Sequence, residues 1–361
     1  MVATHLFPAF TSAGELHPAY QIAAGRAAAL FAVLAGLSLG LAHGAARPPR
    51  ARGLAAARLG ILGRVAVLFA LGMLLGEVDS PPLVILAYYA LLFVLLLPFL
   101  GAGRRVLVGS TVVALLVLPQ LSQVLRQWVP EAPIDEPGGA QLPFQLLLTG
   151  TYPALTWLAY GLAGLALSRL ALQHARTQLA LLTGGTAVAV TALALASALL
   201  DRIGGADSLG GLPISWPPLL LVEHGLFGTT PTEDWRWLLL AAPHSGSTLD
   251  LAATTGSSVA VIGGCLLLVR VLPRPLVIPP AAAGSMTLTL YTAHVLVVAQ
   301  GSPLRIQEPF RFWAVQLAVA LVVATVWRQL VGRGPLETLA HLVDRWLRSW
   351  ATGRRLAVHS R

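Results

Sequence analysis

The sequence predicts an all-α polytopic membrane protein, and three observations carry that prediction. Only 11% of the 361 residues are charged, against 56% hydrophobic, where a soluble domain carries roughly 25% charged residues. The apolar residues fall into blocks of about twenty, the length that crosses a hydrocarbon core of roughly 30 Å. The long Leu, Ala and Val runs do not alternate, which argues against a transmembrane β-barrel. Helices satisfy their own backbone groups in lipid and are the natural use of such blocks.

Taken in order, about nine transmembrane helices are expected. A polar start with His5, Glu15, His17 and Pro18 precedes a first span near 21–42. A short second span, 60–76, lies between an arginine-rich loop and Glu77 and Asp79. Spans at 82–100, 106–125, 144–168 and 178–200 follow, separated by short loops. A long external loop then covers 201–246, with Trp216, Glu223, His224, Glu233, Asp234, Trp235, Trp237 and His244. Its glycines, Gly204, Gly205, Gly210 and Gly211, favour flexible connections. The seventh span is 247–269, the eighth 276–299 with Pro279 and Pro280 near one end, and the ninth 312–331. Residues 1–331 thus form the transmembrane domain and 332–361 a basic cytoplasmic tail. Within it Pro335–Arg348 mixes apolar positions with Arg and His, as an amphipathic interfacial helix does.

Charge tests the count. Every basic residue besides histidine is arginine, a bias expected of GC-rich codons, and the net charge is +9. That excess needs no nucleic-acid partner, because most arginines sit in alternate loops. Arg47, Arg50, Arg52 and Arg58, then Arg104 and Arg105, Arg169 and Arg176, and Arg270 and Arg274 share one side with the tail. The tail adds Arg328, Arg333, Arg345, Arg348, Arg354, Arg355 and Arg361. The positive-inside rule then places the C-terminus in the cytoplasm and the N-terminus outside, which requires an odd number of crossings. Glu131, Asp135 and Glu136 fall on the outer side. The lone Cys265 excludes an intrachain disulfide, no metal site is expected, and no phosphate-binding glycine motif or HExxH motif is present.

The residues that can carry chemistry are few. Arg26, near the outer end of the first span, either snorkels to the interface or lines a polar cavity that holds an anionic group. His244, Ser245 and Asp250 stand at the mouth of the seventh span. Adjacent His244 and Ser245 do not share a helical face, so they are not read as a hydrolase dyad. In the eighth span Tyr291 and His294 are three apart and lie on one face, facing either a polar interior or a neighbouring helix. Tyr152, Trp157 and Tyr160 offer an aromatic cavity wall or an ordinary aromatic belt, and Gly25, Gly36 and Gly40 permit close helix packing.

The run Gly25–Gly36, with Arg26 second in it, resembles a signature of the bacterial YeiB-like membrane proteins, the domain-of-unknown-function-418 group. Tyr152-Pro153 with Trp157–Gly161, Pro243–Gly246, Gly284–His294 and Gly334-Pro335-Leu336-Glu337 extend the resemblance over nearly the whole chain. That group is similar to the heparan-α-glucosaminide N-acetyltransferases. Its members begin with a helix ending in Gly-Met-x-x-x-His, of which only Met1–His5 is present, so a first helix is expected to be missing. The resemblance implies a membrane acyltransferase of the bacterial cytoplasmic membrane. Acetyl-CoA or another acyl-CoA would be the donor and an envelope glycan or lipid the acceptor. A histidine among His5, His17 and His244 would be catalytic. Arg26, Tyr152, Trp157, Tyr160, Ser245, Asp250, Tyr291 and His294 would line the cavity. A transporter or exporter of a small anionic or glycan-related solute and a non-catalytic membrane scaffold are the other readings. Membrane lipids are expected neighbours, and a homodimer is one reading of the oligomeric state. A final expectation is that the two outer histidine regions meet around Arg26 and Asp250, with Tyr291 and His294 on the deeper wall.

Overall fold

The structure is a computed structural model that describes residues 2–11, 14–80, 83–129, 141–209 and 225–352. Trp216, Glu223 and His224 of the expected loop, the acidic Glu131, Asp135 and Glu136, and Arg354, Arg355 and Arg361 of the tail lie outside the described residues. Among the described residues there is no strand, only an isolated antiparallel bridge between Phe10 and Leu16. The helices are α1 (Val2–Leu6), α2 (Pro18–Ala23), α3 (Arg26–Ala42), α4 (Ala51–Gly76), α5 (Leu86–Leu96) and α6 (Arg104–Arg126). They continue with α7 (Leu142–Phe144), α8 (Ala154–Leu167), α9 (Ala175–Arg202), α10 (Thr248–Val271) and α11 (Arg274–Gly284). The last are α12 (Thr287–Ala299), α13 (Pro303–Gln307), α14 (Pro309–Leu330) and α15 (Pro335–Thr352).

Each of the nine expected spans contains helix among the described residues, but they are not equally continuous. Among the described residues six helical segments are long and apolar enough to cross a membrane, and the pair α11 and α12, bent by 72°, makes a seventh if counted as one span. Two more, Leu86–Phe99 and Ala154–Leu167, are apolar but shorter. The fifth expected span is cut because the π-helical turn Gln145–Thr149 ends at the extended Gly150 and Pro153 precedes α8. The third tightens into a 3-10 turn at Leu97–Phe99, around Pro98. The eighth bends where α11, which contains Pro279 and Pro280, ends at Gly284. Many apolar side chains remain exposed, among them Val106, Val113 and Leu116 on α6 and Val319, Val322 and Val326 on α14. A soluble monomer rarely leaves such patches open, whereas lipid tails cover them at no cost. The fold is that of an all-α polytopic membrane protein.

The chain divides into two compact units. The first comprises residues 8–48 and 102–267. Its centre is α8, buried on nearly every side, as a helix apolar all round must be. Helices α3 and α8 approach to backbone contact. A Cβ on Gly36 would strike the carbonyl of Gly161, and one on Gly164 would strike the carbonyl of Val33. The pair α9 and α10 repeats the device, with Gly185 against Gly256 and Ala260, and Gly263 against Gln178 and Leu182. Lipid gives no hydrophobic drive between helices, so small residues supply close packing instead.

The second unit comprises residues 2–7, 49–101 and 268–361. The tail helix α15, read from sequence as interfacial, packs along α4. Gly60 admits the side chains of Asp344 and Arg348, and Gly63 admits Leu347 and Val343. Short α1 seats Leu6 in a cluster with Val298 of α12 and Phe312 of α14.

Candidate functional site

The residues singled out from sequence gather into a polar cluster in each unit. In the first unit, the cluster forms where the first span breaks between α2 and α3. Gly25 sits at φ 69°, and a Cβ there would lie 3.2 Å from the backbone nitrogen of His244. A helix break leaves backbone donors and acceptors without partners, and buried ones must be satisfied. His244 does this for buried Gly25, and Arg26 takes two carbonyls on the exposed side of the break. The Arg26 guanidinium donates through Nη1 to the carbonyls of Gln21 at 2.7 Å and Ile22 at 3.3 Å. The Gly25 N–H donates to Nε2 of His244 at 3.0 Å. His244 is itself held at φ 56°, a conformation uncommon outside glycine. Its carbonyl accepts from the N–H of Gly228 at 2.8 Å.

Asp250 lies beside this break, 4% exposed. It accepts from the N–H of Gly246 at 3.1 Å, bonds Ser245, and lies near enough to Arg26 to feel its charge. The N–H of Asp250 donates to Ser247 Oγ at 3.0 Å, the arrangement of an N-cap serine three residues upstream. The Asp250 carbonyl accepts from Thr254 Oγ1 at 2.6 Å, and that hydroxyl meets Tyr160 Oη at 2.7 Å. Tyr152, Trp157 and Tyr160 form an edge-to-face series with ring centroids 5.1 Å and 5.4 Å apart, and Tyr152 stands 6.2 Å from the His244 ring. The structure therefore gathers Arg26, His244, Ser245, Asp250 and the three aromatics. His17 caps α2, its Nδ1 accepting from the N–H of Ala19 at 3.2 Å. In the nearby loop, Trp237 is fully buried with Leu209 and Leu240.

In the second unit, His5, Tyr291 and His294 come together. His5 Nδ1 is 3.0 Å from His294 Nε2, and the rings stack at 5.3 Å with an interplanar angle of 18°. His294 Nδ1 is 2.8 Å from Gln316 Oε1 on α14. The Tyr291 hydroxyl accepts from the N–H of Ile85 at 3.2 Å. Glu337, from the start of α15, caps the broken span: it accepts from the N–H groups of Leu288 at 2.7 Å and Thr289 at 3.1 Å, and from Thr289 Oγ1 at 2.6 Å. A carboxylate at a helix N-terminus is favoured by the partial positive charge there.

His5, Tyr291 and His294 thus belong to one unit, and His244, Arg26 and Asp250 to the other. The wall beside Asp250 within its own unit is made by Tyr160 and Thr254. Thr254 and Gln316 escaped the sequence reading. Gln316 carried a signal, since it is the lone amide between Phe312 and Ala324 in an apolar span, and intramembrane polar groups mark polar interiors.

Fold and clusters together define the class, an all-α polytopic membrane protein with buried polar sites in its helix bundle. No family model, curated protein or solved structure matches the chain.

Proposed function

We propose that the chain is a membrane acyltransferase, most simply an acetyltransferase, that uses acyl-CoA as donor and His5 as its reacting group. The observation that carries this reading is the ordered pair of imidazoles. His5 is held through one nitrogen by His294, which is anchored in turn by Gln316. That leaves His5 Nε2 without a hydrogen-bond partner among the described residues, on a side chain that is only part-buried. A nucleophile or base oriented by a second group, itself held by a third, is the common logic of acyl transfer.

Nε2 attacks the thioester carbonyl, the carbon–sulfur bond breaks, and CoA leaves as the thiolate. A hydroxyl or amine of the acceptor then attacks the acyl-imidazole carbonyl, the carbon–nitrogen bond breaks to restore the Nε2 lone pair of His5, and the acceptor's proton passes to water, balancing the thiolate released in the first step. The charge distribution supports donor entry from the cytoplasm and an envelope glycan or lipid acceptor at the outer face. His244 fits the reacting role less well, because its Nε2 already takes the N–H of Gly25.

A transporter is the second reading, and the 72° bend in the broken span favours it, since discontinuous helices often line transport sites. Labelled acetyl-CoA, offered to the purified protein with a panel of envelope glycans and lipids, separates the two. Donor binding and acyl transfer are expected. Neither binding nor transfer, together with solute flux in donor-free liposomes, would favour the transporter.

A further inference from the structure

Gln316 lies beside the imidazole pair, and its chemistry decides which nitrogen of His5 can react. An amide oxygen can only accept. The 2.8 Å contact with Gln316 Oε1 therefore requires His294 Nδ1 to carry hydrogen and donate. A neutral imidazole has one N–H, so His294 Nε2 is a lone pair. The 3.0 Å contact with His5 then requires His5 Nδ1 to be the donor. The lone pair of His5 is left on Nε2. The oxygen is the end of the Gln316 amide placed against His294, and its amide nitrogen is buried with no partner among the described residues.

We infer that Gln316 and His294 are positioning residues that fix His5 as its Nδ1–H tautomer and so make Nε2 the reactive atom. The chain of bonds also takes up charge. As Nε2 gains an acyl group, the Nδ1 proton of His5 passes to His294 Nε2, and His294 becomes a cation. Its Nδ1–H remains on the Gln316 oxygen. Both hydrogen bonds exist beforehand, so little reorganisation accompanies the step. This inference depends on the acyltransferase reading only for what Nε2 attacks. Its reactivity is measurable with no substrate at all.

The probe is diethyl pyrocarbonate, which transfers a carbethoxy group to an imidazole lone pair. It is applied to the purified full chain, and the rate at His5 is read by peptide mass spectrometry relative to exposed His174. Gln316→Glu replaces a neutral acceptor with a charged one, strengthens the pull on the His294 N–H, and should raise the His5 to His174 ratio about fivefold. Gln316→Leu removes the acceptor and should lower it. A purely structural role would move both variants in the same direction, and either that result or no change in both overturns the inference. Should Gln316→Glu fail to give monodisperse protein, the nitrogen chemical shifts of His5 in the unmodified chain decide. An unprotonated Nε2 supports the inference, and an Nε2–H overturns it. Opposite shifts in the two variants without any acyl transfer from acyl-CoA would sink the acyltransferase reading and leave the relay standing.

Discussion

Arg26 and His244 occupy the same helix break, and the backbone explains why both are there. The break exposes carbonyls at the end of α2 and an N–H at Gly25, and each residue answers one of them. The sequence marked Arg26 as either snorkelling or cavity-lining, and neither description includes satisfying carbonyls of its own span. That role was illegible because hydropathy reports composition, not continuity, and nothing in Ala23-Ala24-Gly25 announces a break. His244→Ala should leave the buried Gly25 N–H without an acceptor and cost about 1–3 kcal/mol, seen as a lower thermal midpoint of the purified protein. An unchanged midpoint would show that this bond is not structural. Gly25→Ala should also destabilise, because it places an alanine at φ 69° against His244, a conformation that costs roughly 1–2 kcal/mol for a residue with a Cβ.

Among the elements, contact between α3 and α8 depends on glycines that no bulkier residue can replace. Gly164→Ala would drive a methyl group into the Val33 carbonyl, and the helices would have to separate along their length. We expect this variant to lose monodisperse protein or to lose several kcal/mol, beyond the usual 1–3 kcal/mol of overpacking. Gly184→Ala on α9 has open space around it and should be neutral or stabilising by up to about 1 kcal/mol. Equal behaviour of the two would contradict the packing account. Close packing at Gly36 and Gly40 was legible from their spacing, since the four-residue interval puts both on one face of α3. Their partners on α8 were not, because sequence does not say which helices adjoin. The Glu337 cap was visible only as part of a motif. Glu337→Gln weakens the charge at the start of α12 and should lower stability by about 1 kcal/mol, again read as a thermal midpoint.

For the whole molecule, composition made the fold class legible. Each apolar block is mostly helical among the described residues, and exposed valines such as those on α6 and α14 are part of the hydrophobic excess. The count of crossings was less legible, because α5 and α8 are shorter than the apolar runs containing them and α11 and α12 share one run across a bend. The sidedness we propose rests on the arginine distribution alone and has its own test. In a Cys265→Ser background, Gln307→Cys should react with a membrane-impermeant thiol reagent in intact cells, and Ala46→Cys should react only after lysis. The reverse pattern would invert the topology and move the proposed acceptor to the opposite face.

Acylation of His5 decides whether this imidazole carries the acyl group. The purified chain is mixed with labelled acetyl-CoA without acceptor, quenched, and digested, and the label is located by peptide mass spectrometry. Label is expected on the peptide containing His5, absent in His5→Ala, retained in His244→Ala protein that remains folded, and discharged when a competent acceptor is added. Label on His244 instead, or acyl transfer that continues in His5→Ala, would contradict this role for His5.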